Sequence, residues 1–449
     1  MRPAPIRLQR RRGALLFHAA LLGRGSQWVA FAVVAAALAA GCGGGEAPSA
    51  PRAPLAPATM GAAEDLSTKA ATSSYGLRSL PIPLGIGIPF LTVHRTINTS
   101  GQVVGLAEQG FFFDPEDNAL TYLSLDFTTT YSPFAIADSG AVAGTVMGKA
   151  FTGFAWTRDG GIKAFSVSER MLGISTVFVA NNGLVGGVGL RAQPGNCGTF
   201  TFDPSTDTLK EYPDFCAASM NKAGVMVGTT RDNTVATLSP DGELRVVDPM
   251  LPGGGRDGRM FITDDNDIFF NLAEDVGELK AGAVMISAGR AMNIGRGAVP
   301  PPADAPEATE LVTIRSVSAK GHAIGVAGFF IDDLCVTSAG EPANIFSSAQ
   351  TGTAVIDVEN RLTVPNDVND DGVVVGNAYR VFGGSASFPT AFVWSHESGS
   401  SFLETHVSDL PQDAELVEGF AIGDGGHILA FKNHPDVESR GWVLLTPQQ

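Results

Sequence analysis

From about residue 75 onward, short runs of Val, Ile, Phe and Leu alternate with clusters of Gly, Asn, Asp, Ser and Pro. Apolar runs this short, bounded by turn formers, predict β-strands, and no convincing helical stretch interrupts them. The fold class expected is all-β.

The runs repeat. An apolar approach leads into a turn containing Asn or Asp, then Gly, then a short strand often closed by a second Gly. The first copy is Asn98-Thr99-Ser100-Gly101-Gln102-Val103-Val104-Gly105. Aligning the copies places residues 101, 140, 183, 224, 267, 321, 372 and 426 at the first Gly position, spaced by 39, 43, 41, 43, 54, 51 and 54 residues. Seven of these are Gly, and the fifth is Asp267. A hairpin this tight needs a left-handed residue, which Gly adopts without steric cost and Asn or Asp tolerates. The trailing Gly105, Gly144, Gly187, Gly228, Gly325 and Gly376 imply close approach of another backbone.

A second hairpin lies between successive copies, for example at Asp114-Pro115-Glu116-Asp117-Asn118 and Asp203-Pro204-Ser205-Thr206-Asp207. Two hairpins per repeat make four short antiparallel strands, the content of one propeller blade. The expected architecture is a β-propeller of seven to eight four-stranded blades, seven if the degenerate fifth copy is an insertion. The last repeat stops one strand short, and Leu77 to Leu84 can supply the missing strand, so strands from both termini would close the ring and leave no open edge.

The turn at Ile97 to Gly105 and the Ala391-Phe392-Val393-Trp394 strand together resemble the HAF-type extracellular repeat proteins of bacteria. The resemblance spans about residues 75 to 445. It implies an exported, propeller-like domain, and it carries no catalytic residues over to this chain.

The N-terminal region has a different texture. Six arginines and no acid precede the apolar run Trp28 to Ala40, the order of an export signal. As a helix those 13 residues span about 20 Å, short of the roughly 30 Å bilayer core. The run ends in Leu38-Ala39-Ala40-Gly41-Cys42, which resembles a bacterial lipobox. That resemblance implies cleavage before Cys42 and a diacylglyceryl group on its thiol, although Ala39 stands where the family prefers leucine. Residues 1–41 are thus expected to be a lipoprotein signal peptide. Residues 42–74, rich in Gly, Ala, Pro and Ser, should form a flexible tether, and 75–449 the propeller. Gly43, not aspartate, follows Cys42, which points to the outer membrane or cell surface in preference to the inner membrane.

Without its signal the chain carries 24 basic and 46 acidic residues, a net charge of −22. Such a field repels phosphate backbones, so nucleic acid is not an expected partner.

Candidate chemistry is sparse. Asp367, Asn369 and Asp371 match the opening of a calcium loop, but its twelfth position is Ala378 where glutamate is needed. An ordinary turn is therefore expected, with Ca²⁺ the only candidate cofactor. Cys197 and Cys216 flank one second hairpin, and their pairing would close a loop worth roughly 3 kcal/mol; Cys335 would then stand alone, and other pairings stay open. No nucleophile elbow, phosphate loop or His-Glu-x-x-His occurs, and the glycines at 253–255 lack the strand–helix setting of a dinucleotide site. His322 and His427 share one slot, just after the turn Gly. The reading that follows is a binding or scaffold propeller for a protein or glycan, attached to the membrane by its lipid. The alternative is an envelope carbohydrate-active hydrolase or lyase whose site is assembled from several blades.

Overall fold

A computed structural model describes residues 74–82 and 95–448, except 107–108, 125–128, 172, 191–196, 253–258, 298–308, 332–333, 336–342, 360, 383–384 and 387–388. The signal segment, Cys42 and the tether lie outside the described residues.

The period-two patterning produces eight antiparallel blades, with one further two-stranded sheet, Val381–Phe382 and Ser385–Ala386. Blade 1 comprises Val103–Leu106, Gly110–Asp114 and Ala119–Tyr122, with its innermost strand reduced to the Ile97–Val103 bridge. Blade 2 runs through Tyr131–Ile136, Val142–Val146, Thr152–Thr157 and Gly161–Ser166; blade 3 through Gly173–Val179, Val185–Leu190, Cys197–Asp203 and Thr208–Tyr212. Blade 4 holds Phe215–Met220, Met226–Thr230, Thr234–Leu238 and Leu244–Pro252; blade 5 holds Met260–Ile262, Ile268–Leu272, Gly282–Ser287 and Arg290–Asn293. Blade 6 is Thr309–Val317, Ala323–Ile331, Ala343–Ser348 and Gly352–Val355, and blade 7 is Leu362–Val368, Val374–Tyr379, Thr390–Ser395 and Gly399–Phe402. Blade 8 takes Glu415–Ile422, Ile428–Asn433 and Gly441–Pro447 from the C-terminal region, and its outermost strand is Tyr75–Ser79.

The degenerate fifth copy therefore builds a blade of its own, and the ring has eight. Its turn corrects the alignment: the left-handed residue is Asn266 (φ 65°), not Asp267, and Asn266 N bonds Thr263 O at 3.0 Å as the glycines do elsewhere. Asn tolerates this backbone conformation, so the turn survives without glycine.

Alternation along each middle strand sends side chains to opposite neighbours. In blade 1, Val103, Phe111 and Phe113 pack against Leu429 and Leu444 of blade 8, whereas Val104 and Phe112 meet Val142, Phe154 and Trp156 of blade 2. The core is therefore a circle of interblade layers, one between each pair of neighbours.

Gly105 lies against the Phe111 ring and not against backbone, whereas the other trailing glycines answer to a bulge in the innermost strand. In blades 2, 4, 6 and 7 the register shifts beside Pro133, Ala217, Ile314 and Pro365. A Cβ on the facing Gly144, Gly228, Gly325 or Gly376 would collide with the carbonyl oxygen of Ser132, Cys216, Thr313 or Val364. The backbone approaching each glycine belongs to its own blade.

Closure differs slightly from the expected span. Tyr75–Ser79 pairs with Val443–Pro447, and its outer side is held by a parallel Tyr75–Val407 bridge and by Leu77 N bonding Asp409 Oδ1 at 2.9 Å. Because the third strand of blade 8 ends beside its own first turn, the antiparallel closure strand begins on the face bearing the eight turns and runs toward the opposite face.

Candidate functional site

The eight turns joining first to second strands share one geometry. In every copy the fourth residue's N–H donates to the first residue's carbonyl, as Gly101 to Asn98 and Gly372 to Asn369, and the first residue's N–H donates to the fifth residue's carbonyl. Where Asn opens the turn, its Oδ1 accepts two further amides: Ser100 and Gln102 on Asn98, Ala223 and Val225 on Asn221, Asp371 and Val373 on Asn369. This is the Asx chemistry that favours Asn in turns.

The second residue of each turn differs from blade to blade. Around the ring these residues are Thr99, Asp138, Asn181, Lys222, Asp264, Ala319, Asp370 and Asp424. Four carboxylates use one oxygen to clasp the preceding blade. Asp138 Oδ1 accepts from Thr99 N (3.1 Å) and Thr99 Oγ1 (2.7 Å), and Asp264 Oδ1 from Lys222 N (3.1 Å). Asp370 Oδ1 accepts from Lys320 N (2.9 Å), and Asp424 Oδ1 from Asp370 N (3.1 Å).

Their second oxygens converge on two cations. Lys222 Nζ lies 2.9 Å from Asp424 Oδ2, 3.2 Å from Asp138, 3.3 Å from Asp370 and 3.8 Å from Asp264. Four blades thus meet at one ammonium, which places it near the axis. Arg95 adds contacts at 3.0 Å to Asp424 and 3.6 Å to Asp138. Burial and the nearby Arg95 guanidinium oppose the charge on Lys222, but the Asp424 and Asp138 carboxylates win and raise its pKa. Burial likewise pushes Asp138 up, yet the Thr99 hydroxyl, Arg95 and Lys222 bring it down to about 2. Beside them Asp367 accepts from Val368 N (2.9 Å) and Ile422 N (3.0 Å), and burial lifts its carboxyl to about 6 against those bonds and Arg95.

The residues singled out for calcium do not converge. Asp367 turns inward to blade 8, Asn369 folds onto its own turn, and Asp371 is exposed. Among the described residues no group of three or more His, Cys, Asp or Glu has metal-holding geometry. Cys197, on the third strand of blade 3, and Cys216, on the innermost strand of blade 4, have Cα atoms 5.5 Å apart, a separation that a disulfide can span. Between them, Thr199 Oγ1 donates to Phe215 O at 2.9 Å and accepts from Ala217 N at 2.8 Å. His322 and His427 both cover the next blade's turn, against Gly372 and Gly101, with Nδ1 buried and unpaired; burial lowers the pKa of each.

Arg95, Lys222 and their acids were not marked by motif. The available signal was the column of second turn positions, where one lysine stands among four aspartates. Glu418 gave no signal at all. It is a half-buried acid on the innermost strand of blade 8, raised to about 7 by burial. It acts in turn on Tyr379, whose hydroxyl is raised by burial and by this carboxylate. A carboxyl titrating near neutrality can hold or accept a proton at working pH.

No family model and no curated protein matches the chain. Among solved structures it is similar to a virginiamycin B lyase from Staphylococcus aureus, at 14% identity over 70% of this chain and 95% of that one, TM-score 0.36. It is also similar to the β-propeller domain of the Trilobed protease from Pyrococcus furiosus, at 10% identity over 85% and 96%, TM-score 0.40. An oligogalacturonate lyase from Vibrio parahaemolyticus aligns at 11% identity over 84% and 97%, TM-score 0.44. At these scores the likenesses carry no argument beyond the propeller seen in the sheets themselves.

Proposed function

We propose that this chain is a lipid-anchored extracytoplasmic propeller that binds a protein or glycan through the face opposite its eight turns. The observation carrying this reading is the asymmetry between the faces. On one, every first-to-second-strand connection is the same five-residue turn, and the axial charges are held by one another. On the other, connections vary: five residues at 147–151, seven at 434–440, nine at 273–281 and twelve at 403–414. Variable loops on a rigid scaffold are the usual carriers of recognition. The proposed anchor at Cys42 is consistent with this arrangement. The closure strand starts on the turn face, so a tether reaching on the order of 30 Å leads to that face and leaves the other turned outward.

The test is capture from solubilised envelope with the mature chain as bait. Shortening 403–414 or 273–281 should remove a specific partner, and charge changes in the turn face should not. Retention of the partner by every loop variant would sink the reading. Mass spectrometry of the mature N-terminus checks the anchor, since an unmodified Cys42 would remove it.

Glu418 favours a second reading, an envelope hydrolase or lyase. Its near-neutral carboxyl beside Tyr379 suits proton transfer to or from a sugar. Turnover of any polysaccharide in a broad panel, abolished by Glu418→Gln, would support it; no turnover would remove it.

A further inference from the structure

The fifth residue of a blade's first turn can cover the turn glycine of the next blade, as Gln102 covers Gly140 and Leu184 covers Gly224. His427 does the same to Gly101, and His322 to Gly372. The position has no need of an imidazole, since the other blades fill it with Gln102, Ala141, Leu184, Val225, Asp267 and Val373. What histidine adds there, and leucine does not, is a charge that mild acid switches on.

In both rings that charge would meet a closed wall. His322 is 5% exposed, its ring stacked on Phe346 with centroids 5.6 Å apart. The half-buried His427 ring lies so close to Gly101 that a Cβ there would stand 2.8 Å from its Nδ1. Each Nδ1 is sealed from solvent and, among the described residues, has no hydrogen-bond partner. A neutral ring tolerates this, because its other nitrogen can carry the proton. The ionised ring has two N–H donors, and one of them would be left buried with nothing to accept it.

The charged groups around the rings do not rescue the ionised form. At His322, burial outweighs Asp370 and Asp371 across the joint, and Lys320 on its own turn opposes a second positive charge. His396, beyond Phe346, is exposed. At His427, burial acts together with Arg78 of the closure strand, while Asp424 of its own turn is engaged by Lys222 and Arg95. Both rings therefore stay neutral to lower pH than a free imidazole.

The two covered joints bracket blades 7 and 8, which hold each other firmly. Asp367 Oδ2 accepts from Ile422 N at 3.0 Å, Asn366 Nδ2 donates to Gly419 O at 2.8 Å, and Asn377 Oδ1 accepts from Gly419 N at 3.1 Å. We propose that His322 and His427 are two acid-sensitive latches: when their rings ionise, the turn-face joints between blades 6 and 7 and between blades 8 and 1 open, and blades 7 and 8 loosen as one unit. That unit carries the 403–414 connection between its blades. The latches stand whether or not the opposite face binds a partner.

The sign follows from where the protons go. An open joint returns its ring to water, where it ionises near the ordinary value of 6.5. Below that value the open joint takes up a proton that the closed joint refuses. Closure is therefore full above about pH 6.5 and weakens by up to about tenfold per pH unit beneath it.

Gly101 N donates to Asn98 O at 3.0 Å and Gly372 N to Asn369 O at 3.1 Å, so these turns report on the two joints. Hydrogen exchange of the purified chain is followed by mass spectrometry at about pH 7.5 and about pH 5.5, corrected for the intrinsic effect of pH. Protection of segments 98–104 and 369–375 should fall about five- to tenfold in acid, whereas 137–143 and 221–227, covered by Gln102 and Leu184, should keep theirs. His427→Leu should abolish the response of 98–104 alone, and His322→Leu that of 369–375 alone. Equal loss in all four segments, unchanged protection in the two latched ones, or an acid response that survives both leucine changes overturns the latches. If a leucine variant folds poorly, the unaltered chain still decides, because its control segments lie in the same molecule.

Discussion

At the scale of single residues, the repeat glycines do two different jobs. The turn glycines adopt positive φ, a role Asn266 shares, whereas Gly376 and its equivalents make room for a carbonyl forced outward by a bulge. Gly376→Ala should therefore destabilise by roughly 3 kcal/mol, since the obstacle is backbone and cannot rotate away; urea denaturation measures it. Glu418 makes a pH-dependent prediction. Its folded pKa of about 7 lies above its unfolded value, so its contribution is full below about pH 4 and is lost as pH rises to 7. Glu418→Gln should remove about 2 kcal/mol of that decline, seen as a flatter stability profile between pH 4 and 7. Asp138 has the opposite sign: with its folded pKa depressed to about 2, its stabilisation is present above about pH 4 and disappears as pH falls toward 2.

At the scale of elements, the first turn of blades 2, 5, 7 and 8 is both a hairpin and a clasp. One carboxylate oxygen holds the neighbouring blade's amide and the other faces Lys222 or Arg95, so the hub couples blades that share no interface. Lys222→Met would leave four carboxylates facing one another with Arg95 alone against them. Breaking a partly buried charge cluster on one side costs about 3–5 kcal/mol, and a matching drop in the urea midpoint is expected. Two further aspartates changed to asparagine in the same variant should restore part of it, because repulsion, not lost packing, is the cause. Between blades 3 and 4 we propose a disulfide, Cys197–Cys216. Non-reducing peptide mapping should find it, and Cys197→Ser should lower stability by roughly 3 kcal/mol.

At the scale of the whole molecule, the ring closes through Tyr75–Ser79, which completes blade 8 and is gripped on its outer edge by Val407 and Asp409. A chain beginning after Ser79 should unfold at markedly lower denaturant and expose an open strand edge that promotes association, measurable by light scattering. Much of this architecture was legible in the residues: the strand texture, the repeat, the closure and a count of seven to eight blades all follow from turn chemistry and period two, which act within a few neighbours along the chain. The fifth turn was misplaced by one position because Asn266 can do what glycine does, and spelling alone does not separate them. The functional candidates were not legible for a different reason. Lys222 meets Asp138, Asp370 and Asp424 from blades far apart in sequence. Local patterning determined that the chain makes blades and closes them. Only the ring decided which charges face one another, because that depends on which blades the closed circle brings to its axis and its rim.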